Sequence, residues 1–300
     1  MRIVKGFVFA VGLLCVIVGT VGVVWVVDAS GMRNENSSSA EFDFTKSVDA
    51  SGIRALQIDT DISEVVFTPS QTNEITAHFT GKSPEKSKSR WQLDAETNNG
   101  TWVVKAQHEG SDFNFGLDIR QLRDIIATGI FTSNHKLEIS LPPKAYDKIA
   151  VETDTGRIQL GELTADVLDV DSSTGSIAVD SFTGKKITLQ TDTGAIRFNK
   201  TVATDQVQAE SSTGRIEGDL KQLASPVSLQ TDTGAVYLDV PGTSDALFNL
   251  SNDTGSIDLN ASRDVSYETE EEHHVVAKLG TGAYRVKIES STGAITVNAR

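Results

Sequence analysis

The feature that most constrains the fold is a Thr-Gly turn that recurs seven times in the second half of the chain. It is written TDTG at 153–156, 191–194 and 231–234, SSTG at 172–175, 211–214 and 290–293, and NDTG at 252–255. Successive glycines are 19, 19, 20, 20, 21 and 38 residues apart. A near-constant period of about 20 residues is typical of stacked repeats, in which each unit contacts its neighbours.

Apolar residues alternate with polar ones on both sides of every turn. Leu168 and Val170 precede one turn, for example, and Ile177 and Val179 follow it. A period of two places one set of side chains inside and the other outside, as in a half-buried strand. Two short strands per turn could form an antiparallel meander, but equivalent residues at a fixed interval favour one coil per repeat. The sequence therefore predicts an all-β fold, a parallel β-solenoid of about 20-residue coils.

The turn positions have a structural explanation. Glycine permits a backbone conformation that a side chain would resist, and Asp, Asn or Ser can hydrogen-bond the turn's own backbone. We predict structural roles for Gly156, Gly175, Gly194, Gly214, Gly234, Gly255 and Gly293. The residue two before each glycine forms a candidate acidic ladder of Asp154, Asp192, Asp232 and Asp253, interleaved with Ser173, Ser212 and Ser291. If coils stack in chain order, only Asp232 and Asp253 are immediate neighbours.

The N-terminus predicts a membrane anchor. Residues 6–27 are 22 uncharged, mostly apolar residues that follow Arg2 and Lys5. As a helix they would extend about 33 Å, enough to cross a bilayer core of about 30 Å. A long cleaved signal peptide is the alternative. Positive charge before the span predicts a single-pass topology, with residues 1–5 in the cytoplasm, residues 6–27 in the cell membrane and residues 28–300 outside.

The remaining organisation is read from composition. Polar residues 28–46 predict a flexible stalk, and residues 47–300 predict one β-repeat domain that is most regular over 147–300. Residues 54–67 resemble a degenerate coil, and further strands are expected at 74–79, 101–106 and 136–141. A basic segment at 82–90 predicts a solvated loop or an anion contact. Residues 117–127 place four apolar residues on one helical face, which suits a covering helix or a partner-binding one.

Composition excludes several classes of function. The net charge is −14, from 27 basic and 41 acidic residues, so no nucleic-acid partner is expected. Without Arg2 and Lys5 the exported part has 25 basic and 41 acidic residues, a net charge of −16. A single cysteine, Cys15, leaves no internal disulfide framework and no cysteine-rich metal site.

No catalytic, metal or cofactor residues are predicted. Asp232 and Asp253 could approach the separation of about 5–5.5 Å of a retaining glycosidase pair, but turn chemistry explains every Asp of the ladder. The run from Glu270 to His274 suggests a metal ligand set, yet adjacent histidines on a strand point to opposite faces. A solvated acidic loop is the preferred explanation.

These residues resemble a bacterial putative-adhesin family of β-strand-repeat proteins, a domain of unknown function that includes LiaG-like membrane proteins of the cell-envelope stress response. The similarity covers residues 47–300. It depends on Leu-Gln-Ile-Asp at 56–59, Leu-Pro-Pro-Lys at 141–144 and the repeated turns. The segment at 113–133 and the missing turn near residue 274 depart from the pattern. The resemblance implies a surface-exposed, non-catalytic module and identifies no catalytic residue.

We therefore expect a membrane-anchored, extracytoplasmic binding or adhesion module linked to envelope stress. A protein that binds cations or cationic peptides is the first alternative, and a polysaccharide-acting β-solenoid enzyme is the second. The last coil, ending at 296–300, has no capping element after it in sequence. Its unpaired strand groups predict pairing with a protein partner or a second copy, unless 263–281 or the polar end covers it.

Overall fold

The computed structural model describes residues 39–84, 90–108 and 135–300. Within these ranges the regular secondary structure is β strand, apart from one 3-10 turn at Ala50–Gly52. The predicted all-β class is therefore confirmed. Residues 6–27, the whole of the predicted helix at 117–127 and residues 85–89 of the basic segment lie outside the described residues. Among the helices that the structure describes, none has the length and apolar character needed to span a membrane.

The described residues form twenty strands, and the first eight precede or begin the regular repeats. They are β1 (Ser39–Asp49), β2 (Ala55–Ile62), β3 (Glu64–Pro69), β4 (Glu74–Pro84), β5 (Trp91–Asn98), β6 (Thr101–His108), β7 (Lys136–Leu141) and β8 (Ala145–Thr155). The strands predicted at 74–79, 101–106 and 136–141 are present as β4, β6 and β7.

The other twelve strands carry the Thr-Gly repeats and one hairpin. They are β9 (Ile158–Thr174), β10 (Ile177–Thr193), β11 (Ile196–Thr213), β12 (Ile216–Leu220), β13 (Val227–Thr233), β14 (Val236–Val240), β15 (Ala246–Thr254), β16 (Ile257–Ala261), β17 (Val265–Glu271), β18 (His274–Leu279), β19 (Tyr284–Thr292) and β20 (Ile295–Ala299).

Consecutive coils stack in parallel, as predicted. Ile177 pairs with Ile158 on one side and with Ile196 on the other, so equivalent residues of three coils form one row. We call the strand that enters each Thr-Gly turn arm A and the strand that leaves it arm B. Inward side chains from both arms, such as Leu168, Ile187, Ile158 and Val179, belong to one continuous core.

The order of the last three coils differs from the order of the chain. β19 pairs in parallel with β13 and with β15, and β20 pairs in parallel with β14 and with β16. The coil that ends the chain is thus inserted between the two coils that precede it. The expectation that this coil forms an open end was wrong, because both edges of β20 are paired.

A hairpin explains this threading. After the outermost coil of β15 and β16, β17 and β18 form an antiparallel pair, and β18 also pairs antiparallel with the outer edge of β15. The chain then re-enters on the inner side of β15 as β19. The hairpin replaces the turn that is missing from the repeat near residue 274.

The N-terminal end of the stack is closed by strands of the first half. β2 lies between β8 and β6, and β3 lies between β9 and β7, so residues 54–67 do form a coil. Antiparallel β5 then covers β6, and antiparallel β4 covers β7. Strand β1 begins at Ser39 and pairs with β4. Its Phe42 packs in the core. The predicted stalk at 28–46 therefore extends too far along the chain.

A glycine substitution tests the close stacking of the turns. A Cβ atom on Gly194 would lie 1.8 Å from the carbonyl oxygen of Gly175, in a backbone that also has φ +155°. We expect Gly194→Ala to lower the free energy of unfolding by about 2–3 kcal/mol or more, since neither backbone can yield without breaking the ladder. Gly52 has no atom within 4 Å of its added Cβ, so Gly52→Ala is the matched control. Urea unfolding measures both, and equal stabilities would contradict the stacking.

Candidate functional site

The Thr-Gly turns form one straight edge of the domain, held by two sets of hydrogen bonds. The amide of every turn glycine except the outermost, Gly255, donates to a threonine carbonyl of the next coil, as from Gly175 to Thr193 at 2.9 Å. A buried polar side chain three residues before a turn glycine donates to the preceding glycine carbonyl, as from Thr191 Oγ1 to Gly175 at 3.2 Å. These bonds place the predicted glycines in one row, ordered Gly156, Gly175, Gly194, Gly214, Gly234, Gly293, Gly255.

The acidic ladder follows the same order. Asn252 donates to the carbonyl of Gly293 at 3.1 Å, and Ser290 donates to that of Gly234 at 3.0 Å. Ser291 therefore lies between Asp232 and Asp253, and the expectation that these two carboxylates are neighbours was wrong. The four predicted Asp residues alternate with serines along the whole row, about 9.6 Å apart. That spacing also removes the basis for a retaining glycosidase pair at this position.

The N-terminal coil adds a carboxylate to the ladder. Thr60 pairs with Thr153 and Ile62 with Thr155, which puts Asp61 beside Asp154. Asp61 accepts a hydrogen bond from the backbone amide of His108 at 3.2 Å.

A second acidic row lies beside the first and was missed from the sequence. This row begins at Asp59, which pairs with Glu152. It continues with the outward residues that lie four before each turn glycine, in stack order Glu152, Asp171, Gln190, Glu210, Gln230, Glu289 and Ser251. The same period-two alternation that places the ladder outside also places this row outside. We call the two rows together the acidic face. The predicted ladder includes only the residue two before each turn glycine and therefore omits this second row.

Few cations neutralise the acidic face. Lys105 lies 3.8 Å from Asp59, and Lys287 lies 2.7 Å from Glu289. Within the described residues, Asp192, Glu210 and Asp232 have no lysine or arginine within salt-bridge distance. The face therefore has a strong local negative potential.

Neighbouring carboxylates contribute to raised pKa values on this face. Burial, followed by the charges of Asp61 and Asp59, raises the pKa of Asp154. Burial, followed by the charges of Asp192 and Asp169, raises the pKa of Asp171. Both shifts disfavour the ionised form of the carboxyl group.

The outward face of arm B differs in character. Arg197 and Arg215 both bind Glu217, and these bonds lower the pKa of that carboxyl, with Arg215 the larger cause. Tyr237 is 37% exposed, and the guanidinium of Arg215 lies 5.3 Å from its ring centroid. Opposite charges pair around Glu217 on this face. Asp180, Asp219 and Asp239 of the same arm have no lysine or arginine within salt-bridge distance among the described residues.

The histidines of the suspected metal segment have structural partners. His273 Nδ1 lies 2.9 Å from Asn252 Oδ1, and His274 Nε2 lies 3.2 Å from Asn249 Oδ1. Both therefore hold the hairpin against β15. Among the described residues, no group of three or more His, Cys, Asp or Glu side chains has the arrangement of a metal site.

The comparisons with known proteins agree with this architecture. The sequence profile of Toastrack DUF4097 matches residues 53–298, most of the chain. The chain belongs to the Toastrack DUF4097 family. No curated protein matches this Toastrack chain.

Several solved structures are similar at low identity. A "putative cell adhesion protein" from Clostridium sporogenes ATCC 15579 is 13% identical, with a TM-score of 0.37, over 87% of this chain and 100% of that one. A "putative adhesin" from Bacteroides fragilis NCTC 9343 is also 13% identical, with a TM-score of 0.39, over 85% and 97%. A "Putative lipid binding protein" from Parabacteroides distasonis ATCC 8503 is 11% identical, with a TM-score of 0.35, over 86% and 96%. These similarities do not indicate what the Toastrack domain binds.

The raised pKa of Asp171 generates a pH prediction. Its folded pKa lies above its unfolded value of about 3.9, so ionisation destabilises the folded state at neutral pH and the penalty fades as the pH falls through both values. We expect Asp171→Asn to stabilise the protein at pH 7 by about 0.2–1 kcal/mol. The gain should vanish near pH 3.

Thermal unfolding between pH 3 and pH 7 measures this effect. Asp166→Asn is the control, because Asp166 is exposed and pairs with Lys185 at 2.9 Å. That variant should be neutral or slightly less stable at pH 7. A loss of stability in Asp171→Asn at pH 7 would show that the carboxylate is favourably paired.

Proposed function

We propose that this chain is a non-catalytic binding or adhesion module that residues 6–27 hold at the outer surface of the cell membrane. The apolar run after Arg2 and Lys5 supports the anchor and its orientation. The resemblance to LiaG-like proteins supports a role in the cell-envelope stress response.

The observation that carries the proposal is the acidic face with its two rows of carboxylates. Backbone hydrogen bonds between coils fix two rows of carboxylates at regular spacing along arm A. A long periodic surface on a rigid stack suits an extended or repetitive ligand, since many weak contacts add together. A catalytic centre would instead need a few convergent groups.

Cationic ligands are the second candidate, and the charge distribution favours them. Uncompensated carboxylates at Asp192, Glu210 and Asp232 would attract polyamines, cationic peptides or a basic protein. The same field would repel anionic wall polymers and anionic lipids. The acidic face thus separates the candidate ligands by charge.

Topology is the first test. In intact cells or protoplasts, we expect an external protease to digest the β domain while the N-terminal segment stays in the membrane fraction after carbonate washing. Full protection of the β domain would contradict the proposed orientation. Release by carbonate of a chain shortened by the N-terminal segment would support the cleaved signal peptide.

Charge-driven binding is the second test. The probe is a fluorescent cationic antimicrobial peptide, titrated against full-length protein in detergent at low and high salt. We expect saturable binding that weakens with salt and falls about tenfold when Asp192, Glu210 and Asp232 are changed to Asn, Gln and Asn. The matched control removes three charges from arm B, at Asp180, Asp219 and Asp239.

The two variants separate a specific face from net charge. Equal losses in both would mean that only overall charge matters. Absence of binding at low salt would reject the cationic ligand and leave the adhesion proposal to be tested by retention on purified envelope fragments.

A further inference from the structure

The outer edge of β16 is the open end of the solenoid. β16 pairs with β20 and, among the described residues, with no other strand. On arm A of the same coil, β15 is covered by β18. At the N-terminal end, β5 covers arm A and β4 covers arm B. Antiparallel strands thus cover three of the four ends of the parallel stack.

The apolar side chains of β16 are less buried than the equivalent side chains of the strands inside the stack. The residue two after the turn glycine is fully buried in the other coils, as at Ile216, Val236 and Ile295. Its equivalent Ile257 is only partly buried, as are Leu259 and Ala261 in the same strand. The turn glycine of this coil, Gly255, is also the exposed one of the seven.

The backbone groups of β16 are oriented to accept a strand. Ile295 donates its amide outward to Ser256, and Ser262 donates back to Ala299. Since successive residues of a strand point to alternate sides, the amides and carbonyls of Ile257, Leu259 and Ala261 point away from the stack. An added parallel strand would continue the backbone hydrogen bonds of the sheet.

The edge of the hairpin is less suited to pairing. β17 bears Glu268, Glu270 and Glu271 and has a register irregularity between Tyr267 and Thr269. Charged side chains and bulges are the features by which proteins block edge pairing. β16 has one charged residue, Asp258, and its pairing with β20 is regular.

Room at this end limits the occupant to a single strand. On arm A, β18 already occupies the level above β15, so a second solenoid cannot place a whole coil there. On arm B the level above β16 is not filled by any described strand. An extended segment of a partner protein fits this geometry, whereas end-to-end stacking of two copies does not.

The chain itself shows which sequence would pair here. Arg197 of β11 lies opposite Glu217 of the next coil and donates to it at 2.6 Å. Asp258 occupies the same row in β16. Two positions later, Asn260 donates to Asn298, which donates to Asp239 at 2.7 Å. A strand with alternating apolar residues, a basic residue opposite Asp258 and an amide opposite Asn260 would satisfy every row.

We propose that the outer edge of β16 binds an extended segment of a partner protein as an added parallel strand, with alternating apolar residues and a basic residue facing Asp258. This inference rests on the proposed binding function and gives it a second surface, distinct from the acidic face. The contacts are main-chain hydrogen bonds for affinity and side-chain rows for specificity.

The test uses a peptide whose sequence is that of residues 193–200, TGAIRFNK, labelled with fluorescein. Its Arg would face Asp258 and its Asn would face Asn260. We expect saturable binding to full-length protein in detergent. N-methylation of the peptide's Arg amide, which points to β16, should weaken binding by about tenfold or more, and N-methylation of its Ile amide should have little effect.

Protein variants locate the site. Leu259→Pro removes an outward amide at an edge position where proline is tolerated, and it should abolish binding. Leu259→Ala keeps the amide and should bind more weakly than wild type but measurably. If Leu259→Pro fails to fold by circular dichroism, the alternate effect of the two methylated peptides still decides.

Three outcomes would overturn the inference. These are no binding of the peptide, equal binding to folded Leu259→Pro, or equal effects of the two N-methyl groups. Retention of the wild-type protein on envelope fragments, measured in parallel, distinguishes failure at this edge from failure of the binding function itself.

Discussion

Close backbone stacking at the Thr-Gly turns is the constraint on which the structure depends. A Cβ on Gly175 would lie 1.7 Å from the carbonyl oxygen of Gly156, so adjacent turns can approach to strand spacing only if that position lacks a side chain. The approach allows each glycine amide to reach a threonine carbonyl of the next coil. This contact sets the register between coils, and therefore the alignment of every other row of side chains.

Register at the turns determines the surface chemistry as well as the core. Because equivalent residues align, a carboxylate in the repeat becomes a row of carboxylates, and alternation with serine keeps the charges of Asp154, Asp192, Asp232 and Asp253 two coils apart. A second row, including Glu152, Asp171 and Glu210, makes arm A acidic, while Arg197 and Arg215 balance Glu217 on arm B. A rigid stack with one charged face and one open strand edge is suited to binding more than to catalysis.

Much of this architecture could be predicted from the period and the alternation, including the coil at 54–67 and the glycine row. The order in which the coils stack could not be predicted from periodicity, because all coils share the same spacing and alternation and each could pair with any other. The seven Thr-Gly turns did contain a signal. The residue two before their glycine alternates between Asp and Ser from coil to coil only if the coil of Ser291 is placed between those of Asp232 and Asp253. The second acidic row and the partner of His273, Asn252, depend on pairings between distant strands, which no local pattern reveals.

The insertion of the last coil is the central claim, and engineered disulfides test it most directly. In a Cys15→Ser background, outward Tyr237 and Thr296 are changed to cysteine in one variant, and Tyr237 and Asp258 in another. The account predicts oxidation to an intrachain disulfide for the first pair, which is one strand apart. The second pair is two strands apart, about 9.6 Å, beyond the roughly 7 Å that a disulfide spans between Cα atoms. A disulfide between positions 237 and 258, with none between 237 and 296, would show that the coils stack in chain order and would contradict the account.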